Sequence, residues 1–447
     1  MIALGSITTP GLLFFGPGTH ILSGTGSWQP ANFSLGDPFS TTNGAIVALA
    51  SDLTLNVSGQ TFISAFSTLN QNGRNLTING GIIHSRGVID LGSGALNLNA
   101  NRLEFLNANQ NQSISPGLKG TGAVNLTATG AAAYLGLTRM LFQPAFHMLS
   151  GAINAEFGPS ERIDRSLMID GAATFNFNSG SVTVNGDITV DGTLAKTSPA
   201  GTSTTLIFNG STLTNNGSIA TGFLNFNRSG GPLIQSIAGT GAWPNGARIE
   251  IGSPLTPSIT TLLNDVTINY NTFGIAAGSR LETGAFTLSM PCSTAWSSAF
   301  GVGEFVGNLR RTNLAACSAP IAFGSPFTTT AFTSGTPPTE LRMNIVLDSP
   351  PGFGNAVKRT HTITPTGGSG WTATLRLRYL DSELNGNTES ALQLYRKDGA
   401  NWNAQGASNR DMNANWVETA GVIQFSPWTL SAAPPGCGRH RQRRNAR

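Results

Sequence analysis

Residues 52–56 read Asp-Leu-Thr-Leu-Asn, and the pattern returns as Asn-Leu-Thr-Ile-Asn at 75–79, Asp-Ile-Thr-Val-Asp at 187–191 and Asp-Val-Thr-Ile-Asn at 265–269. Each copy alternates apolar and polar positions between Asn or Asp residues, which is the pattern of a half-buried β-strand ending in a turn. The first two copies begin 23 residues apart, at 52 and 75. A period of this length with several short strands in it is typical of a solenoid.

A longer unit overlies this repeat: Gly-Thr-Gly-Ser-Trp at 24–28, Gly-Thr-Gly-Ala-Val at 120–124 and Gly-Thr-Gly-Ala-Trp at 239–243. The two repeats together predict a parallel β-helix of roughly a dozen coils, each giving one strand to each of two or three parallel sheets. An array of Greek-key sandwiches fits less well, because long and short connections do not alternate. The predicted inward columns contain Leu53, Leu55, Leu76, Ile78, Ile188, Val190, Val266 and Ile268.

The composition agrees with an all-β chain. The 447 residues include 55 glycines, and charged residues make up 11%, against about 25% in an ordinary soluble domain. Low charge with 39% hydrophobic residues argues against intrinsic disorder and against a helical enzyme. The formal net charge is +4, but 438–447 holds five arginines, which leaves −1 for the remainder. The body therefore has no nucleic-acid-binding character.

The pattern predicts four regions: a parallel β-helix over 1–290, a junction that caps it over 291–335, an antiparallel Ig/fibronectin-like β-sandwich over 336–433, and a basic disordered tail over 434–447. The sandwich is indicated by longer amphipathic strands separated by turn signals. One segment, 135–149, is rich in Met and Phe and lacks Gly-Asn punctuation, which predicts a short helix or an apolar loop that interrupts the coils.

Segments of the C-terminal half carry a family resemblance: Val-Gly-Asn-Leu-Arg-Arg at 306–311, Arg-Thr-His-Thr-Ile-Thr at 359–364, the stretch 375–386 and Phe-Ser-Pro-Trp-Thr-Leu at 425–430. With the repeats before them, they resemble bacterial secreted β-strand-repeat proteins, similar in style to autotransporter and haemagglutinin-type β-helix adhesins. The resemblance implies an exported protein at or beyond the cell surface, with no established catalytic activity. No signal peptide is recognisable, so we expect the export signal to lie upstream of a fragment.

Few residues suggest chemistry. The one charged patch of the repeats contains Glu156, Glu161, Arg162, Asp164, Arg165 and Asp170, and is expected to be a solvated loop rather than a pair of catalytic carboxylates. A calcium loop is a further hypothesis, because oxygen ligands alternate around Gly386, although Leu392 stands at the twelfth position, where a calcium loop has a bidentate Glu. Its candidate ligands are Asp381, Glu383, Asn385, Asn387 and Glu389. The other interpretation is a hairpin loop whose side chains bond their own backbone.

Two functions remain open from the sequence. The first is a non-enzymatic surface or extracellular protein, an adhesin-like stalk with glycans or proteins as partners. The second is a carbohydrate-active β-helix enzyme or glycan-binding module, for which Trp28, Trp243, Trp402 and Trp416 are candidate sugar-stacking residues. No cofactor other than calcium, no nucleic acid and no membrane-spanning segment is expected. Cys292 and Cys317 are either a disulfide or two buried thiols.

Overall fold

In a computed structural model the chain is nearly all β, with 2% helix, and forms a parallel β-solenoid of about 12 turns followed by a separate antiparallel sheet. The predicted fold class is confirmed. The structure describes residues 2–3, 6–16, 18–37, 44–106, 115–130, 133–138, 140–158, 161–196, 204–227, 234–317 and 320–435. Cys437 and the basic residues of 438–447 lie outside them. The chain divides into two compact units, Met1–Ile249 and Glu250–Arg447. The boundaries inferred at 290, 335 and 433 stay predictions.

Three parallel sheets form the faces of the solenoid in the first unit, and the initial strand Ile2–Ala3 pairs with Thr19–Gly24. Face 1 contains Ile7–Thr9, Ser27–Pro30, Leu53–Asn56, Leu76–Asn79, Ala95–Ala100, Ala123–Ala128, the start of Ala145–Phe157, Leu167–Ile169, Ile188–Val190, Thr212–Asn215 and Ile234–Ala238. Face 2 contains Leu12–Phe14, Phe33–Leu35, Gln60–Ile63, Ile82–Ser85, Arg102–Leu106, Ala133–Thr138, the end of Ala145–Phe157, the start of Ala173–Val184, Thr193–Ala195 and Ser218–Ala220. Face 3 contains Thr19–Gly24, Ile46–Leu49, Thr68–Asn70, Val88–Asp90, Ser115–Lys119, Met140–Phe142, Glu161–Ile163, the end of Ala173–Val184, Thr204–Phe208 and Phe223–Phe226. The strand Gly246–Ile251 spans the division between the units.

The core of face 1 consists of columns of apolar side chains in register. Leu55, Ile78, Leu98, Leu126 and Met148 are paired from turn to turn and are all buried. Because side chains of a strand alternate between its two faces, the period-two pattern places every second residue inside. Each such side chain contributes about 1.5–3 kcal/mol by burial. The predicted inward residues are all buried: Leu53, Leu55, Leu76, Ile78, Ile188, Val190, Val266 and Ile268.

The Gly-Thr-Gly repeat forms corners of the solenoid: the copies at 24–26 and 120–122 lead from face 3 to face 1, and the copy at 239–241 follows the face 1 strand Ile234–Ala238. Its first glycines, Gly24, Gly120 and Gly239, have φ of 134°, 108° and 89°, a region that L side chains rarely adopt. A Cβ on Gly239 would also lie 2.1 Å from the carbonyl oxygen of Asn215, one turn away. Backbone angle and close stacking of successive turns therefore both require glycine at this corner.

The predicted interruption at 135–149 is wrong. This stretch contributes to the regular strands Ala133–Thr138, Met140–Phe142 and Ala145–Phe157. Phe142, Phe146 and Met148 point into the core, and the first two rings lie 6.2 Å apart, edge to face. Large side chains at inward positions occupy the core there, so the segment needs no helix.

The second unit continues with parallel strands and then turns antiparallel. The parallel part contains Ile259–Leu262, Val266–Thr267, Tyr270–Ile275, Arg280–Pro291, Ala295–Ser297 and Glu304–Thr312. One antiparallel sheet runs in the order Glu304–Thr312, Glu340–Val346, Thr360–Thr366, Pro427–Ser431, Gln393–Asp398 and Asn401–Gly406. The other runs Ile321–Ala322, Thr329–Thr336, Ser369–Arg378, Trp416–Val422 and Asn409–Asp411. Short 3₁₀ helices span Leu314–Ala316, Asp381–Glu383 and Glu389–Ala391.

One strand, Glu304–Thr312, belongs to both arrangements. It pairs in parallel with Arg280–Pro291 and antiparallel with Glu340–Val346. Both of its edges are therefore hydrogen bonded, and the last parallel strand presents no open edge. A disulfide joins Cys292 and Cys317 on either side of this strand, which decides between the two alternatives left by the sequence. No helix among the described residues is long and apolar enough to cross a membrane.

Candidate functional site

The outer side of face 1 carries a row of amide side chains that bond to one another from turn to turn. Asn79 Nδ2 donates to Asn56 Oδ1 at 2.7 Å, and Asn99 Nδ2 donates to Asn79 Oδ1 at 2.6 Å. Asn56 Nδ2 donates in turn to Ser27 Oγ at 2.9 Å. A second row on the same face links Thr77, Asn97 and Asn125. These amides satisfy their own hydrogen bonds along the stack, which stabilises the register of the turns.

Similar pairs occur on the other faces. Asn176 Nδ2 donates to Asn154 Oδ1 at 3.1 Å on face 2, and Asn209 Nδ2 donates to Asn185 Oδ1 at 3.0 Å after face 3. The polar side chains on the outer surface of the solenoid thus stack from turn to turn in the same register as the apolar side chains in its core. This regularity favours a structural surface over a cleft.

The charged patch of 156–170 is distributed over different faces. Glu156 lies on face 2 and accepts a hydrogen bond from Tyr134 Oη at 3.0 Å. Asp170 follows a strand of face 1 and lies 2.6 Å from His147 Nε2. These two carboxylates point from different sheets, so they do not form the facing pair that glycoside hydrolysis requires.

The remaining members of the patch lie on or beside face 3. Glu161 is buried, and Arg165 is exposed. Arg162 Nε lies 2.7 Å from Asp164 Oδ1, which also accepts a hydrogen bond from Asn185 Nδ2 at 3.0 Å. An exposed ion pair of this kind contributes little to stability. The expected solvated loop does not form here, because Glu156 and the strand Glu161–Ile163 belong to the sheets and Glu161 is buried.

The candidate sugar-stacking tryptophans are core residues. Trp28 is fully buried on face 1, and Trp243, Trp402 and Trp416 are 3%, 7% and 8% exposed. The Trp416 ring is covered by the guanidinium of Arg376, whose Cζ lies 3.8 Å from the ring centroid. None of the four presents a free aromatic face, so the hypothesis that they bind sugar rings is wrong.

The acids of the proposed calcium loop have protein partners. Asp381 Oδ1 accepts a hydrogen bond from Asn415 Nδ2 at 2.8 Å. Glu389 Oε1 accepts one from Tyr379 Oη at 2.6 Å. Burial, together with this contact to Glu389, raises the pKa of the Tyr379 hydroxyl. The two carboxylates lie in separate 3₁₀ helices, and Glu383 belongs to a different cluster.

The amides of the same loop tie it to the segment that precedes Lys358. Asn385 Nδ2 donates to the carbonyl oxygens of Gly354 and Ala356, both at 2.8 Å. Asn387 Nδ2 donates to the carbonyl oxygen of Asn355 at 2.8 Å. Among the described residues, no group of three or more His, Cys, Asp or Glu side chains is placed to hold a metal ion. The calcium loop stays a prediction.

The strongest electrostatic feature is a buried cluster of two arginines and two glutamates between the antiparallel sheets. Glu383 accepts two hydrogen bonds of 2.9 Å from Arg359, through Nε and Nη2. Glu304 accepts one hydrogen bond from Arg359 and another from Arg378 Nη1, the latter at 2.6 Å. Arg359 is 4% exposed, so every charge here depends on its partners. The cluster links strands of both sheets and has no free carboxylate for catalysis.

His361 lies beside this cluster on Thr360–Thr366. It is fully buried, and neither ring nitrogen has a hydrogen-bond partner in the described part of the chain. Burial and the neighbouring positive charge of Arg359 lower the pKa of His361 to about 3. The imidazole is therefore neutral in the folded protein at ordinary pH.

Sequence reasoning missed this cluster, and it also missed the buried Arg311 and His361, for which a signal was present. Every second residue of Glu304–Thr312 is buried, and an arginine occupies the last of these inward positions. The buried residues are Phe305, Gly307, Leu309 and Arg311. In Thr360–Thr366 the buried positions are His361 and Ile363. A charged or titratable residue at an inward position indicates a buried polar cluster or a site.

No family model, curated protein or solved structure matches the chain. The fold and the contacts therefore carry the functional argument.

Proposed function

We propose that this chain is a non-enzymatic, adhesin-like structural protein, secreted or held at a bacterial cell surface, whose solenoid presents a repetitive polar surface to glycans or proteins. The observation that carries the proposal is the pair of side-chain rows on face 1. Their amides are bonded to each other, as in Asn56, Asn79 and Asn99, so they stiffen the stack and leave a regular exterior.

The distribution of charge supports the same proposal. An enzymatic β-helix needs two or more acidic or basic groups that converge on one substrate. Here Glu156 and Asp170 lie on different faces, while Glu304 and Glu383 are used in buried ion pairs. The carbohydrate-active enzyme is therefore the less favoured function.

The disulfide supports export. Disulfides persist in oxidising compartments and are rare in the cytosol of mesophiles. The bridge between Cys292 and Cys317 brackets a strand shared by two arrangements, where it stabilises the native pairing. The resemblance to secreted β-strand-repeat proteins points in the same direction.

Three measurements test the proposal on the full chain, the first two of them in its source cells. Alkylation of free thiols in intact cells before lysis should leave Cys292 and Cys317 unmodified, and protease added to intact cells should degrade the protein. A cytosolic protein with both thiols alkylated would refute export. Incubation with pectin, alginate and xylan should release neither reducing ends nor unsaturated uronates. Turnover that is lost in Glu156→Gln would establish the enzyme instead.

A further inference from the structure

A cavity of about 620 Å³ lies in the second unit, beside the disulfide. Its wall includes both bridged cysteines, Cys292 and Cys317, and strands of the second antiparallel sheet. A volume of this size is in the range of small-molecule sites and suits one or two sugar rings. The wall side chains that bear on its chemistry are Ser293, Trp296, Arg311, Thr329, Thr374 and Arg376.

Arg311 is the unusual member of this wall. It is 1% exposed, and its Nη2 donates to the carbonyl oxygens of Cys292 and Thr294 at 3.1 and 2.6 Å. Its Nε and Nη1 have no hydrogen-bond partner in the described residues. No carboxylate within salt-bridge distance faces it there either, in contrast to Arg359. Burial lowers the pKa of Arg311 to about 9, which leaves the guanidinium charged at neutral pH.

Among the other polar groups of the wall, one more donor lacks a hydrogen-bond acceptor in the described part of the chain, and the wall's carboxylate is already paired. Trp296 Nε1 is a second buried donor without a partner among the described residues. Its ring is held against Phe273, with centroids 5.1 Å apart. The carboxylate of Glu418 is already paired with Arg376, at 2.8 Å, and does not neutralise Arg311. Arg311 and Trp296 thus both line the cavity, and each has a buried donor without a partner in the described residues.

Buried donors and buried charges are costly without partners, and an anionic ligand rich in acceptors would supply both the missing hydrogen bonds and the missing charge. We propose that this cavity binds a sugar acid, a uronate unit of an acidic glycan, and that Arg311 recognises its carboxylate. The hydroxyls of Ser293, Thr329 and Thr374 line the same space and suit the sugar hydroxyls. Carboxylate recognition by arginine is charge-assisted and therefore strong for its size. The inference is independent of the display role proposed for the solenoid.

The test is calorimetric titration of the full-length protein with D-galacturonate, with D-galactose as the uncharged sugar of matching ring and inorganic phosphate as a plain anion. Galacturonate should bind, and galactose and phosphate should bind at least about tenfold more weakly. No heat from galacturonate at tens of millimolar would overturn the proposal. Equal binding of phosphate would overturn it too, because the cavity would then accept an adventitious ion only.

Three variants locate the site. Arg311→Gln keeps a donor for the backbone carbonyls but removes the charge, and should weaken galacturonate binding by roughly tenfold to a hundredfold. Arg310→Gln is the matched control: Arg310 is the next residue on the same strand, donates to Ser289 Oγ at 3.1 Å and does not line the cavity. It should bind as the unaltered protein does. An equal loss in both variants would overturn the assignment.

Trp296→Phe keeps the test decisive if Arg311→Gln does not fold. This change retains an aromatic ring beside Phe273 and removes one donor, so it should weaken galacturonate binding by roughly twofold to tenfold. Unchanged affinity in Trp296→Phe would refute its role in the cavity and, with no folded Arg311 variant, the proposal itself.

Discussion

The buried imidazole of His361 should make the second unit sensitive to acid, and His361→Leu should remove that sensitivity. The folded-state pKa is about 3, whereas an unfolded chain has the ordinary value of about 6.5. Between pH 6.5 and pH 3, His361 is therefore protonated in the unfolded chain and neutral in the folded chain. The free energy of unfolding falls as the pH drops from about 6.5 and stops falling from this cause below about 3.

The magnitude follows from the size of the shift. Each pH unit between these limits lowers the free energy of unfolding by about 1.4 kcal/mol, so the whole effect approaches 5 kcal/mol and the part lost by pH 4.5 is about 3 kcal/mol. The imidazole is fully buried, so solvent does not screen this penalty. Leucine has no titratable group, and it replaces two ring nitrogens that lack partners in the described structure.

The assay is urea unfolding followed by tryptophan fluorescence at pH 7.5 and pH 4.5. Five of the seven tryptophans belong to the second unit, and one of them, Trp428, is paired across strands with His361. The free energy of unfolding should fall by about 3 kcal/mol more in the unaltered protein than in His361→Leu.

The control is His84→Gln, at a partly exposed histidine of the first unit whose Nδ1 lies 3.0 Å from Glu104. This variant should keep the full acid sensitivity of the transition reported by fluorescence. If His361→Leu loses as much stability as the unaltered protein between the two pH values, the imidazole is not the group that titrates and the reasoning fails.

Three further predictions concern other parts of the chain. Asn79→Ala removes one hydrogen bond to each neighbouring turn and should lower the free energy of unfolding of the first unit by about 1–2 kcal/mol, measured by urea denaturation. An unchanged free energy of unfolding would mean that the amide rows do not stabilise the stack. Reduction of the bridge between Cys292 and Cys317 should cost about 3.5 kcal/mol for its 25-residue separation, seen as a lower urea midpoint with dithiothreitol than without. Millimolar calcium should raise the melting temperature if 381–389 binds the ion, and an unchanged melting curve would dispose of that hypothesis.

The solenoid was predictable because its signals are local and repeated. In a strand such as Leu76–Asn79, the alternation of apolar and polar residues shows which side is buried. The first glycine of each Gly-Thr-Gly corner indicates a backbone angle that residues with a side chain rarely adopt. Repetition of both at a fixed spacing indicates stacking. The prediction for 135–149 was wrong because the segment lacks the Gly and Asn residues that mark the corners elsewhere. Its apolar residues nevertheless alternate between buried and outward positions as in the other strands.

The polar clusters could not be predicted in the same way. Glu304, Arg359 and Glu383 are separated by 55 and 24 residues, and only the pairing of distant antiparallel strands brings them together. No periodicity encodes such a contact. The tryptophans were misjudged for a related reason, since an aromatic residue in a repeat is equally compatible with a core and with an exposed face, and burial in the stack decides.

The bridge between Cys292 and Cys317 has a mechanical consequence. The residues between the two cysteines include Glu304–Thr312, the strand that joins the parallel and antiparallel arrangements. When the chain is pulled at its ends, tension crosses the covalent bond and bypasses everything inside that loop. The enclosed strand cannot be drawn out lengthwise while the bond holds, so stretching by an attached load would extend other segments first.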